Sequence, residues 1–212
     1  MDARALALVG IVAAGLAWWR GRDAAELGAE LEDLAGMTPQ ASELAELALE
    51  PNVAAGLAAI RYAEGTDSDA GYRALFGYHP RRNPDAVFVS FADHPHIARW
   101  SSFGWTTAAG AYQIMARSEI PQGGGYTKVD TWGDVQRALA LPDFSPASQD
   151  VAAVFLIRRR GALEDLRAGR LEAALAKMGR EWASLPGSPY GQPMRTYEQV
   201  ALAYSSAGGN IT

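Results

Sequence analysis

The sequence predicts a mostly helical α+β domain preceded by further helices at the N-terminus. Three observations carry that expectation. Between residues 51 and 212, apolar residues recur at helical spacing in several capped segments. Residues 86–91 alone have a strand-like composition. No internal repeat appears, and the gaps between helical patterns lack the alternation that a parallel sheet would impose. With 212 residues and 49% hydrophobic content, the chain has material for one ordinary domain plus an appendage.

The N-terminal region, residues 1–22, contains fifteen uncharged residues in a row, 5–19, between Arg4 and Arg20. As a helix this run is about 22 Å long, short of the roughly 30 Å hydrocarbon core. Snorkelling arginines and the Trp18-Trp19 pair would help it span as a signal anchor. The h-region of a signal peptide and a buried helix of the fold are the competing readings. Residues 23–50 carry eight acids and no base, and they read as a solvated linker of two short helices. Leu27, Leu31 and Leu34 mark the first. Thr38-Pro39 opens the second, with the threonine as cap and proline at the first helical position, and Leu44 and Leu47 continue its stripe.

Residues 51–212 form the expected working domain. One helix covers about 52–63, with Val53, Leu57 and Ile60 on one face and Gly65 as its stop. Another opens at Ser145-Pro146 and ends in Arg158-Arg159-Arg160, a triplet suited to the negative end of a helix dipole without any ligand. Shorter helices are expected near 171–178 and 196–207. This region has a net charge of +1, which gives no electrostatic footprint for nucleic acid.

The chain has no cysteine, which excludes disulfides and thiolate chemistry. Phosphate-loop, dinucleotide and H-E-x-x-H patterns are missing too. Of the three histidines, His94 and His96 beside Asp93 suggest a metal at first sight, but Pro95 lies between them and further ligands are lacking; a polar loop is the simpler account. Glu64 has the strongest chemical position. It closes an apolar-faced helix, where unpaired carbonyls oppose ionisation of a carboxylate, and an apolar wall would act in the same sense. A carboxyl kept protonated near neutral pH is what acid-catalysed glycosidic cleavage requires. By position alone, a solvent-exposed glutamate on a last helical turn is the better reading.

Five segments in order add a resemblance. They are Arg61-Tyr62-Ala63-Glu64-Gly65-Thr66-Asp67, Phe91-Ala92-Asp93-His94-Pro95 and Thr107-Ala108-Ala109-Gly110-Ala111-Tyr112-Gln113, then Asp143-Phe144-Ser145-Pro146-x-Ser148-Gln149-Asp150 and Trp182-Ala183-Ser184-Leu185-Pro186-Gly187, the last continued by Tyr190-Gly191-Gln192. Together they resemble the phage-lambda-type endolysins over most of residues 53–209. The resemblance implies a lysozyme-like, two-lobed domain with a small β element. It also implies a lytic transglycosylase that cuts peptidoglycan glycan strands between N-acetylmuramic acid and N-acetylglucosamine, leaving 1,6-anhydro ends for host cell lysis. Glu64 would act as acid and then base, with no metal and no organic cofactor.

The other matched residues would line the cleft. Tyr112 and Gln113 follow a small-residue turn, Tyr72 and Trp182 would offer ring faces to sugars, and Asp93 would bind substrate or its own loop. Ala111 departs from the family, which often has a larger basic residue there, and the first fifty residues are an addition. A water-using muramidase and a non-catalytic glycan-binding virion protein are the alternatives. The substrate places the enzyme on the periplasmic side of the inner membrane, anchored through residues 5–19, or else in the cytoplasm until a holin-type pore opens.

Overall fold

The computed structural model describes residues 38–212. The anchor expected at 5–19 and the leucine stripe at 27–34 lie outside the described residues. The first helix, α1 (Pro39–Ala48), starts as the sequence predicts: the Thr38 hydroxyl accepts from Ala41 N at 3.2 Å, and proline occupies the first turn. The same hydroxyl donates to Leu139 O at 3.0 Å, so the cap also fastens the helix to the domain. Ala41 and Leu44 are wholly buried. This corrects the solvated-linker reading for residues 38–50; residues 23–37 lie outside the described residues. The second acidic helix is part of the core, because two small apolar faces fit together despite the acids on its outer side.

Helix α2 (Pro51–Glu64) runs through the middle of the domain and is buried on several sides, from Val53 to Ala63. Gly65, at φ +74°, ends it; its N–H reaches Tyr62 O at 3.1 Å, and Thr66 N reaches Arg61 O at 2.9 Å. A left-handed residue at this point is what glycine supplies without steric cost. Helices α3 (Thr131–Leu139), α4 (Pro146–Arg159), α5 (Leu163–Arg167), α6 (Leu171–Met178) and α7 (Tyr197–Ser206) complete the helical set. α1 packs on α4, while α5 and α7 pack on α2. The caps are local. Ser145 accepts from Ser148 N, Asp130 accepts from Gly133 N, and Thr196 with Gln199 forms a reciprocal capping box. Each arginine of the 158–160 triplet pairs with an acid: Arg158 with Glu43 at 2.7 Å, and Arg159 and Arg160 with Glu181 at 3.2 and 2.7 Å.

The second lobe lies between α2 and α3 and is mostly loop. Its one two-stranded sheet is antiparallel, β1 (Arg99–Ser101) with β2 (Gly104–Thr106), and pairs Trp100 across from Trp105. The strand expected at 86–91 does not form. Ala86 and Phe88 turn inward, but pairing is confined to one bridge, Ala74 to Val87, and Val89 is 87% exposed. Its alternation reflects burial without a partner strand long enough to make a ladder. Trp132 and His94 pack edge-on against Phe144, at 4.7 and 4.9 Å between ring centroids, and tie this lobe to α3 and to the start of α4. Among the described residues, no helix is long and apolar enough to cross a membrane.

Candidate active site

Glu64 is the last residue of α2 and is half-buried. Its Oε1 accepts a hydrogen bond from the Ser184 hydroxyl at 2.6 Å. Burial pushes its pKa from the ordinary carboxylate range up to about 7, and the Ser184 hydrogen bond offsets part of that rise. Near neutral pH the group is therefore poised between acid and base. The chain after the glutamate is held just as closely. Thr66 Oγ1 donates to Ala111 O at 2.5 Å, which joins the end of α2 to the small-residue turn.

That turn closes tightly, with Ala109 and Ile114 exchanging backbone hydrogen bonds of 3.1 and 2.9 Å. Gly110 lies at φ +76°, and a Cβ there would come within 2.3 Å of Gln149 Oε1. The close approach has a purpose. Gln149, wholly buried on α4, accepts from Ala111 N at 2.8 Å and donates to Tyr72 O and Phe144 O at 3.0 and 2.8 Å. One side chain thus locks the turn to the loop after α2 and to the start of α4. Gln113 is half-buried at φ +46°, with its amide donating to Gly110 O at 3.0 Å.

Comparison with known proteins matches the endolysin family model to residues 54–211. The chain belongs to the endolysin family. The endolysin of Escherichia phage P2 is 38% identical over 123 residues, covering 58% of this chain and 70% of that protein. The endolysin of Escherichia phage lambda is 30% identical over 159 residues, covering 72% of this chain and 88% of that one. Among solved structures, the bacteriophage lambda lysozyme complexed with a chitohexasaccharide superposes with a TM-score of 0.63 at 28% identity, over 76% of this chain and 97% of that one. This endolysin is thus a peptidoglycan-cleaving enzyme with the lysozyme-like fold.

Three residues expected to line the cleft, Tyr72 and Trp182 with their ring faces and Tyr112 after the small-residue turn, are inside this endolysin instead. Tyr72, Tyr112 and Trp182 are 5%, 0% and 3% exposed. Both tyrosine hydroxyls donate to Asp150 Oδ1, at 2.7 and 2.6 Å, and the Trp182 indole donates to Tyr112 O at 3.0 Å. A buried carboxylate drew the phenols inward, so these rings are the frame behind the site. Asp93 is exposed, yet its Oδ1 accepts from its own loop at His94 N and from the Trp132 indole, at 2.7 and 3.0 Å. Asp93 thus makes the bond to its own loop that one of its two readings expects. His94 is 2% exposed, and burial lowers its pKa to about 4. Its Nδ1 accepts from His96 N, so Nε2 carries the proton donated to Ile114 O at 3.0 Å, which makes it a structural residue.

Ser184 and Gln149 are the important residues that sequence reasoning passed over. Both stand inside matched segments, but a serine in a turn and a glutamine on a helix carry no chemical signature by themselves. A shallow depression of about 220 Å³ between α1, α4 and α5 is unconnected with Glu64. Its arginines, Arg158 and Arg167, are engaged by Glu43, Glu50 and Glu164.

Proposed function

We propose that this endolysin is a lytic transglycosylase that cleaves the bond between N-acetylmuramic acid and N-acetylglucosamine and leaves a 1,6-anhydro-muramic end, with Glu64 as the catalytic residue. The observation that carries the reading is a half-buried carboxyl at a helix end, poised near pH 7, whose shift has burial and one serine hydroxyl as its causes. Among the described residues, the hydrogen-bond partner of its carboxyl is the Ser184 hydroxyl. The protonated Glu64 gives its proton to the glycosidic oxygen, and the leaving glucosamine carries it away as the 4-hydroxyl. The resulting carboxylate takes the proton of the muramic C6 hydroxyl as that oxygen bonds to the anomeric carbon. The acid is regenerated, no water is consumed, and no cofactor enters the balance. The glycan would lie past Glu64 and along the 108–113 turn, with the Gln113 amide within its reach. The chitohexasaccharide complex of the lambda lysozyme is the precedent for a sugar chain on this fold.

The test is Glu64→Gln in a turbidity assay on Gram-negative cells with permeabilised outer membranes. The amide keeps the shape and can accept from Ser184, but it cannot carry the proton. Lysis should fall by at least about a hundredfold, the scale of a lost general acid. Activity above about a tenth of wild type would contradict the assignment. The proposal also includes a membrane anchor at residues 5–19, which would hold the enzyme on the periplasmic side beside its substrate.

A further inference from the structure

We infer that Ser184 is a positioning residue for Glu64: it holds one carboxyl oxygen so that the other is presented to the glycosidic bond. The inference rests on the catalytic reading of Glu64 and adds a residue to it. A hydroxyl 2.6 Å from Oε1, reaching across from a segment 120 residues away, is a tertiary contact and not a consequence of helix geometry. The donor is itself fixed. Ser184 O accepts from Arg195 N at 2.8 Å, Leu185 beside it is wholly buried, and Trp182 two residues earlier is pinned by its indole to Tyr112 O. The guanidinium of Arg195 lies 5.2 Å from the ring centre of Tyr62, on the same last turn of α2. Residues 182–195 therefore grip the end of the catalytic helix at two points, the Tyr62 ring and the Glu64 carboxyl.

The contact has a chemical sense. A serine hydroxyl neither gives up nor takes a proton here, so it leaves the acid–base work to Glu64. It binds the carboxylate more strongly than the neutral acid, which favours the state produced when the proton leaves. Burial alone would make Glu64 a still weaker acid, and Ser184 moderates that effect. The charged neighbours are occupied elsewhere. Arg61 on the same helix faces the carbonyls of Thr66 and Ser68 and the Tyr72 ring, and Arg195 faces Tyr62.

The experiment uses the full chain and reads two quantities in wild type, Ser184→Ala and Ser184→Thr. One is the titration midpoint of Glu64, followed by carbon NMR of labelled glutamate carboxyls and assigned against Glu64→Gln. The other is the pH profile of lysis. In Ser184→Ala the midpoint should rise by about one pH unit, as expected on losing a charge-assisted hydrogen bond. The alkaline limb of the profile should move up with it, while lysis on the plateau falls roughly tenfold. Ser184→Thr keeps the hydroxyl and should restore both. If Ser184→Ala does not fold, Ser184→Cys keeps the volume with a weaker donor, and its midpoint should move in the same direction. An unmoved midpoint and limb would overturn the inference, as would a threonine variant indistinguishable from alanine. Full activity of Glu64→Gln would instead overturn the catalytic reading, while the NMR midpoints would still report on the Ser184 contact.

Discussion

At the scale of single residues, burying the Glu64 carboxyl works against stability above neutral pH. Its folded pKa of about 7 lies above the unfolded value near 4.5. The folded state therefore binds the proton more tightly, and the stability linked to it is fully present below about pH 4.5 and lost as pH rises through 7. Glu64→Gln has no such dependence. It should be more stable than wild type at pH 8 by an amount on the order of 3 kcal/mol, with the gap closing below pH 4.5. Urea unfolding at the two pH values measures this, and equal gaps at both would mean that the carboxyl is not desolvated. Glu64 was legible in the sequence because a helix stop, an apolar face and a family motif coincide on it. The roles of Tyr72, Tyr112 and Trp182 were not. Which end of an aromatic side chain meets water depends on where Asp150 sits, and that carboxylate is 78 positions from Tyr72 and 38 from Tyr112.

At the scale of elements, the helices were written locally and the sheet was not. Thr38-Pro39, Ser145-Pro146 and Gly65 each mark a helix end through an interaction with a near neighbour in the chain, and so they can be read by eye. The β1–β2 hairpin is only three residues a side, and the paired Trp100 and Trp105 give it no alternation to detect. The 108–113 turn is the element that matters most for the site, and its geometry rests on Gln149. Gln149→Leu would leave Ala111 N, Tyr72 O and Phe144 O without this partner in the interior. It should destabilise the protein by roughly 3–5 kcal/mol and lower lysis in parallel. Denaturant titration checks the first and turbidity the second. A loss under about 1 kcal/mol would show that the turn holds without its lock.

At the scale of the whole molecule, the candidate site joins three stretches distant in sequence: the end of α2, the 108–113 turn, and residues 182–195. Helix α1 stiffens the helical lobe from outside the segment that the endolysin family model covers. A chain beginning at Thr38 should be more stable than one beginning at Pro51 by about 3 kcal/mol or more, since the shorter chain loses the buried Leu44 and Ala41. Equal melting temperatures would make α1 an ornament. The acidic composition hid this role, because only Ala41 and Leu44 are wholly buried, with Ala45, Leu47 and Ala48 partly buried beside them and acids on the outer face. Fractionation of cells making the full chain, or a chain beginning at Asp23, tests the anchor: the full chain should sediment with membranes and the shorter one should not, and both remaining cytosolic would end the idea. In the proposed reaction one carboxyl serves as acid and base without water. Mass spectrometry of purified sacculi digested to completion tests it most directly. The expected products are muropeptides ending in 1,6-anhydro-muramic acid, each one water lighter than the hydrolytic product; reducing muramic ends would rule the reaction out.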